Sequence, residues 1–121
     1  MHNYKELNIW KRSIKLAVEV YNISAAFPAD ERYGLTSQIK RAVVSIASNI
    51  AEGAGRNTNG EFIQFLGIAN GSSFEVTTQL IIVAELGIVK YEQVNTILTE
   101  LDEVQKMLYA FMNNLYNKKN T

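Results

Sequence analysis

The chain of 121 residues contains no cysteine, one proline, one histidine and one tryptophan, and each scarcity removes a class of protein. Without cysteine there is no disulfide framework, no thiolate nucleophile and no Cys-based zinc site. A reducing cytoplasm is therefore the expected location. The single histidine, His2, stands at a terminus expected to be mobile. That excludes multi-histidine metal sites, including the Glu-x-x-His ligand pairs of di-iron bundles, and removes histidine as a general acid or base. Charge of one sign is also missing, since twelve Lys and Arg balance twelve Asp and Glu. A uniformly basic coat of the histone or ribosomal-tail kind is excluded. The longest strongly apolar run, Leu80 to Ala84, is far shorter than the roughly 20 residues of a membrane-spanning helix. The polar start, Met1-His2-Asn3-Tyr4-Lys5-Glu6, has no signal-peptide core. No membrane partner is expected. Nor is there a phosphate-cradling loop: Gly53-Ala54-Gly55-Arg56 lacks the Gly-Lys-Ser/Thr ending and reads as a turn.

What the chain does have is helical periodicity. Its size and 47% hydrophobic content suit one domain over residues 1–121 with one core. Leu7, Trp10, Ile14, Ala17 and Tyr21 recur at spacings of three and four, and predict a first helix buried along that stripe. It should end at Phe27-Pro28, because the residue before proline is pushed out of helical geometry. After Tyr33-Gly34, a second helix carries Leu35, Ile39, Val43, Ile46 and Ile50, closed by Gly53, Gly55, Arg56 and Asn57. Thr58-Asn59-Gly60-Glu61 has the spacing of a capping box. The third helix should then run from about Asn59 to Leu86 with Phe62, Phe65, Ala69, Val76, Leu80 and Val83 inward, and Gly87 as its cap. Val94, Ile97, Leu101, Val104, Leu108, Phe111 and Leu115 hold a strict three-four alternation in the fourth. Short connections make neighbouring helices antiparallel. The fold expected is all-α, an up-down-up-down four-helix bundle, with Asn117 to Thr121 frayed.

Few residues could carry chemistry. Arg41, Ser45, Ser48 or Asn49, and Glu52 form a polar stripe beside the apolar one of the second helix, and Asn70, Ser72 or Ser73, and Glu75 form another beside Gly71. One reading makes Glu52, Glu75 and Glu85 paired acids. The favoured one has Arg41 or another cation neutralise them, because an unpaired buried carboxylate is costly, and has the small residues let the helices approach closely. No catalytic residue, cofactor or metal is expected. Lys11, Arg12 and Lys15 on the first helix, Lys40 on the second and Arg56 at the turn are the candidate phosphate contacts, since Lys11 and Lys15 lie one turn apart. An ordinary solvated face is the competing reading. The cations are unevenly placed: residues 1–56 hold eight Lys and Arg against five Asp and Glu, and residues 57–121 hold four against seven. Ile63, Leu66, Ile81 and Ile82, with Leu98, Tyr109, Met112 and Tyr116, lie off the main stripes of the last two helices. A second apolar stripe on a small bundle implies a further partner, here another copy.

The run from Phe27-Pro28-Ala29-Asp30-Glu31-Arg32-Tyr33-Gly34-Leu35 through Lys40-Arg41-Ala42 to Ser48-Asn49-Ile50-Ala51-Glu52-Gly53, joined by Ala69-Asn70-Gly71-Ser72-Ser73-Phe74-Glu75 and Trp10, resembles the four-helix proteins encoded in intervening sequences of bacterial 23S rRNA genes. The resemblance spans about residues 7 to 90. It implies a ring-like homo-oligomer, a pentamer, and kinship with the accessory protein of diversity-generating retroelements, which partners a reverse transcriptase and nucleic acid through a basic surface. On the family pattern Arg41, Asn49, Glu52, Gly53, Gly71 and Glu75 are signature positions, implied to determine fold and packing. Unlike those strongly basic relatives, this chain is neutral. The function expected is a non-enzymatic homo-oligomeric scaffold that associates with RNA. The rival is a protein-binding module that docks a partner such as a reverse transcriptase without touching RNA.

Overall fold

A computed structural model describes residues 2–119. Four helices, α1 (Asn8–Ser24), α2 (Leu35–Ala54), α3 (Asn59–Glu85) and α4 (Tyr91–Lys119), account for most of them, with short 3₁₀ turns at Tyr4–Glu6 and Ala29–Glu31. No strand occurs among the described residues. Each helix packs on two others: α1 on α2 and α4, and α3 on α2 and α4. The diagonal pairs, α1 with α3 and α2 with α4, bring no Cα atoms within 8 Å of each other and meet only through core side chains. This is a four-helix bundle around one core. Residues 117–119 continue α4; the remainder of the expected frayed tail, residues 120 and 121, lies outside the described residues.

In α4 the predicted stripe is the core stripe: Val94, Ile97, Leu101, Val104, Leu108 and Leu115 are all buried, and Phe111 packs half-buried against them. The stripe of α2 also holds, through Ile39, Val43, Ile46 and Ile50, each fully enclosed. Gly53, read as part of the closing turn, instead lies inside α2. A Cβ there would stand 2.7 Å from both Phe62 Cδ1 and Phe65 Cβ, so its missing side chain is what lets α3 approach. Gly87, by contrast, has φ +75° and turns the chain after α3, a geometry in which any Cβ is strained.

The first helix departs from expectation. Its buried residues are Ile9, Ser13, Leu16, Val20 and Ser24, whereas Ile14 and Tyr21, expected inside, are 41% and 44% exposed. The core stripe therefore lies beside the predicted one. Ser13 and Ser24 disguise it: their hydroxyls donate to the carbonyls of Ile9 (2.6 Å) and Tyr21 (3.0 Å), so each satisfies itself on its own helix and can be buried at little cost. The helix also stops three residues before Phe27. Two tight turns, Ala26 N–H to Ile23 O and Phe27 N–H to Ser24 O, swing the Phe27 ring into the core before Pro28.

At the start of α3 the Thr58 hydroxyl oxygen accepts from Glu61 N–H (3.1 Å) and its proton goes to Glu61 Oε1 (3.0 Å). That is half of the reciprocal box; the Glu61 carboxylate binds the hydroxyl and not the Thr58 backbone. Leu66, placed off the main stripe, is fully buried. The N-terminal arm is pinned: His2 N–H donates to Ala54 O at 2.9 Å, and its ring packs 5.0 Å from Phe62 and 6.1 Å from Phe111, centroid to centroid. The mobile His2 expected from its position is thus a packed one.

Candidate functional site

The five candidate phosphate contacts divide into three groups. Lys11 and Lys15, exposed on α1, form no ion pair among the described residues. Arg12, between them in sequence, points the other way. Its Nε donates to Glu100 Oε1 on α4 at 2.8 Å, and its Nη1 lies 3.2 Å from Met107 Sδ. The hydrogen bond from Arg12 holds the Glu100 carboxyl below the usual carboxylate range, against the opposing effect of burial, with the charges of Arg12 and then Lys15 adding to it. The same bond raises the Arg12 pKa. A cation held this way is a link between α1 and α4 first, and has less freedom to follow a phosphate.

Lys40 and Arg56 form cation–π contacts instead, with Tyr21 of α1 at 4.9 Å and with Phe65 of α3 at 4.6 Å. Some 14 residues of α2 separate Lys40 from Ala54, next to the Arg56 turn, or about 20 Å at 1.5 Å per residue. Lys40 and Arg56 are therefore too far apart to share one phosphate.

In the polar stripe the charged residues and the small ones part company. Arg41, Glu52, Glu75 and Glu85 are all exposed, and Arg41 makes no ion pair among the described residues. Among the described residues these carboxylates are not buried as a pair, so none needs Arg41 to neutralise it. Between α2 and α3 the small polar residues do meet. The Ser45 and Ser72 hydroxyls are 2.9 Å apart, and Asn49 Nδ2 donates to Ser45 O (2.7 Å) and Ser45 Oγ (2.9 Å). Asn49 and Gly53 thus act in packing, while Gly71 has open space where a Cβ would stand and Arg41, Glu52 and Glu75 face water. Gln79 is 7% exposed; its Nε2 reaches Glu75 Oε2 at 3.5 Å and its Oε1 has no partner.

Sequence reasoning missed an apolar strip on the outer surface of α1 and α2. Ile14, Val18 and Tyr21 follow one another at spacings of four and three with 41%, 55% and 44% exposure, and Val44 on α2 adds 43%. The Lys40–Tyr21 contact bridges the two helices at this strip. A signal was present, since two residues of it were read as core: α1 has apolar residues on more of its circumference than one buried stripe uses. Half of the expected second strip is outside: Ile81, Ile82, Tyr109 and Tyr116 are exposed, whereas Leu66 is buried and Ile63, Leu98 and Met112 pack half-buried on the core. Phe74, not expected there, is exposed as well, and Phe74 and Tyr109 line one cleft with Asn70, Asp102, Gln105 and Lys106. Among the described residues no three His, Asp or Glu side chains gather as a metal would require, and no helix is long and apolar enough to cross a membrane.

Residues 5–110 match the sequence model of a family described as 23S rRNA-intervening sequence protein. No curated protein matches. Among solved structures, the chain is similar to a protein with unknown function from the S23 ribosomal protein family of Bacteroides thetaiotaomicron. The TM-score is 0.79 at 24% identity, over 86% of this chain and 97% of that one, a likeness of fold.

Proposed function

The chain belongs to the 23S rRNA-intervening sequence protein family, and from that premise we propose that it is a non-enzymatic, cytoplasmic, homo-oligomeric scaffold that associates with RNA. The observation that carries this reading is on α1. Lys11 and Lys15, one helical turn apart and exposed, stand beside the exposed Ile14 and Val18. One helix thus offers phosphate contacts and, next to them, apolar surface that another copy would cover. Lys15 acts on Glu100 of α4, so it lies toward the α4 side and stays at the rim when the strip is covered. Lys40 and Arg56 add cations farther along, and Arg12 adds charge to the same field while tied to Glu100. Repetition around an oligomer, five copies in the assembly that the resemblance implies, would compensate for a protomer with no net charge. The protomer is an up-down-up-down bundle in this reading. The α2–α3 pairs Gly53 with Phe62 and Ser45 with Ser72 step apart in sequence as antiparallel neighbours do.

Contacts to phosphate carry no sequence information, so the expected binding is to structured RNA broadly, and it weakens as salt rises. Filter binding of a structured rRNA fragment across a salt series tests it. Binding that ignores salt, or is absent, defeats the RNA half of the proposal. Charge reversal at Lys11 and Lys15 distinguishes the rival: assembly intact with RNA binding lost supports the RNA-associated scaffold, and unchanged RNA binding favours a protein-binding module.

A further inference from the structure

In the outer cleft between α3 and α4 the charges cancel, and what remains is flat and neutral. Asp102 and Lys106, one turn apart on α4, both line it and pair with each other at 3.4 Å. The lining thus has one charge of each sign and no net pull on an anion or a cation. The rest of it is two aromatic rings, Phe74 and Tyr109, and two side-chain amides, Asn70 and Gln105, around a space of about 440 Å³. Phe74 and Tyr109 form no ring contact with each other. At 53% and 63% exposure, both keep apolar ring surface open to water.

The hydrogen bonds around the two amides decide what each can offer. The Thr77 hydroxyl donates to Ser73 O at 3.1 Å, so toward Gln105 it can only accept, and it does so from Nε2 at 3.2 Å. That leaves Gln105 Oε1, an acceptor, without a protein partner. Asn70 makes one long side-chain contact, from its Oδ1 to Ser73 Oγ at 3.4 Å, and its Nδ2 donors have no protein partner. Thr77, which fixes Gln105, is two helical turns from Asn70 on α3, with Phe74 midway. The cleft therefore has aromatic walls, a free donor at one end and a free acceptor at the other.

We propose that this cleft binds an unpaired nucleobase of an RNA strand. The proposal rests on the RNA association above and adds to it a contact with a base. A base has two π faces to lay against Phe74 and Tyr109, and its edges carry both donors and acceptors for Gln105 and Asn70. It is also uncharged, as the lining requires. Gly67 and Gly71, on the same outer face of α3 as Phe74, have nothing within 4 Å of their Cβ positions, so the approach to that ring is open. The position suits a strand and not only a single base. Glu100 bonds Arg12 of α1, whereas Asp102, Lys106 and Tyr109 turn toward α3. The α1 side and the cleft thus lie on opposite edges of α4, about one helix diameter, 10–12 Å, apart. A strand crossing α4 can place phosphates on α1 while one base turns into the cleft. Because all four bases offer these groups, no base preference is expected.

A short single-stranded RNA with one central 2-aminopurine, a base whose fluorescence falls when it stacks, tests the site. Wild type is expected to quench it on binding. Phe74→Leu with Tyr109→Leu, checked for folding by far-UV circular dichroism, should abolish the quench and weaken affinity about tenfold, the order that loss of base–aromatic stacking gives. Its salt dependence should match wild type, because no phosphate contact is removed. Lys11→Gln with Lys15→Gln should do the reverse, with a shallower salt dependence and a full quench at saturation. If the double leucine variant unfolds, Tyr109→Leu alone, at a site 63% exposed, is read in the same way. RNA bound without a quench, or with a quench that survives in a folded cleft variant, overturns the base site and leaves the RNA association standing. No binding of this RNA by wild type overturns both. Free 2-aminopurine riboside is titrated in parallel. Quenching that is absent or needs far higher concentration than the strand supports RNA as the source of the base; quenching at the same concentration assigns the cleft to a free nucleotide and overturns RNA as its ligand.

Discussion

A methyl group added at Gly53 would lie 2.7 Å from Phe62 Cδ1 and from Phe65 Cβ, and the Phe62 ring has no room to retreat, since it is 1% exposed in the core. Gly53→Ala is therefore expected to cost about 1–3 kcal/mol through overpacking, read as a lower urea midpoint. Gly71→Ala has the opposite sign in the isolated protomer. Its Cβ would enter open space, and replacing a helical glycine gains roughly 0.5–1 kcal/mol; denaturation of dilute protein would show it. Arg12 and Glu100 make a third residue-scale case. The folded-state pKa of Glu100 is depressed, so its contribution is present above the unfolded carboxylate pKa and is lost as pH falls through the folded value. With the two side chains 37% and 25% exposed, solvent screening keeps the pair below about 1 kcal/mol. Glu100→Gln should lower stability by that order at pH 7, and the gap from wild type should close when the comparison is repeated in strong acid. A gap that persists there would mean that Glu100 contributes by shape and not by charge.

At the scale of elements, how well each helix could be read depended on how its polar residues are satisfied. The stripe of α4 was legible because every third or fourth position inward is aliphatic or aromatic and most outward ones are polar, Tyr109 and Tyr116 apart. In α1 two inward positions are serines bonded to their own helix, and an outward strip is apolar, so periodicity alone pointed one strip too far round. The polar stripe of α2 and α3 misled for a related reason. Spacing places Arg41, Glu52 and Glu75 on helix faces but does not say which faces water keeps. The contacts of the cations required the fold: Arg12 meets Glu100 across 88 residues, and Lys40 and Arg56 lie over rings of neighbouring helices. The Thr58 start of α3 was legible from spacing in its main bond. Thr58→Ala removes the acceptor of Glu61 N–H and should cost about 1 kcal/mol; Thr58→Asp, which keeps an acceptor, should restore most of it. Thermal unfolding of the three proteins side by side checks this, and an alanine variant as stable as wild type would show that the cap contributes nothing.

For the whole molecule, salt would separate the two activities proposed for α1. RNA held by phosphate contacts releases counterions, and each contact contributes a slope of about −0.7 to −0.9 in log K against log salt. Lys11→Gln with Lys15→Gln removes two exposed cations, so the slope should become shallower by between about one and two for each protomer that touches the RNA. Assembly responds differently. Its apolar contacts do not weaken with salt, and only the attraction between the basic and acidic halves is screened over about 10 Å at 0.1 M. Between 50 and 500 mM salt, RNA affinity should therefore fall by orders of magnitude while the assembled mass changes little. The glutamine variant should assemble as wild type does, because Ile14, Val18, Tyr21 and Val44 remain to make the contact. Should assembly and RNA binding instead disappear together over the same narrow salt range, charge would be holding the copies together, and the exposed apolar strips would have to be explained by some other partner.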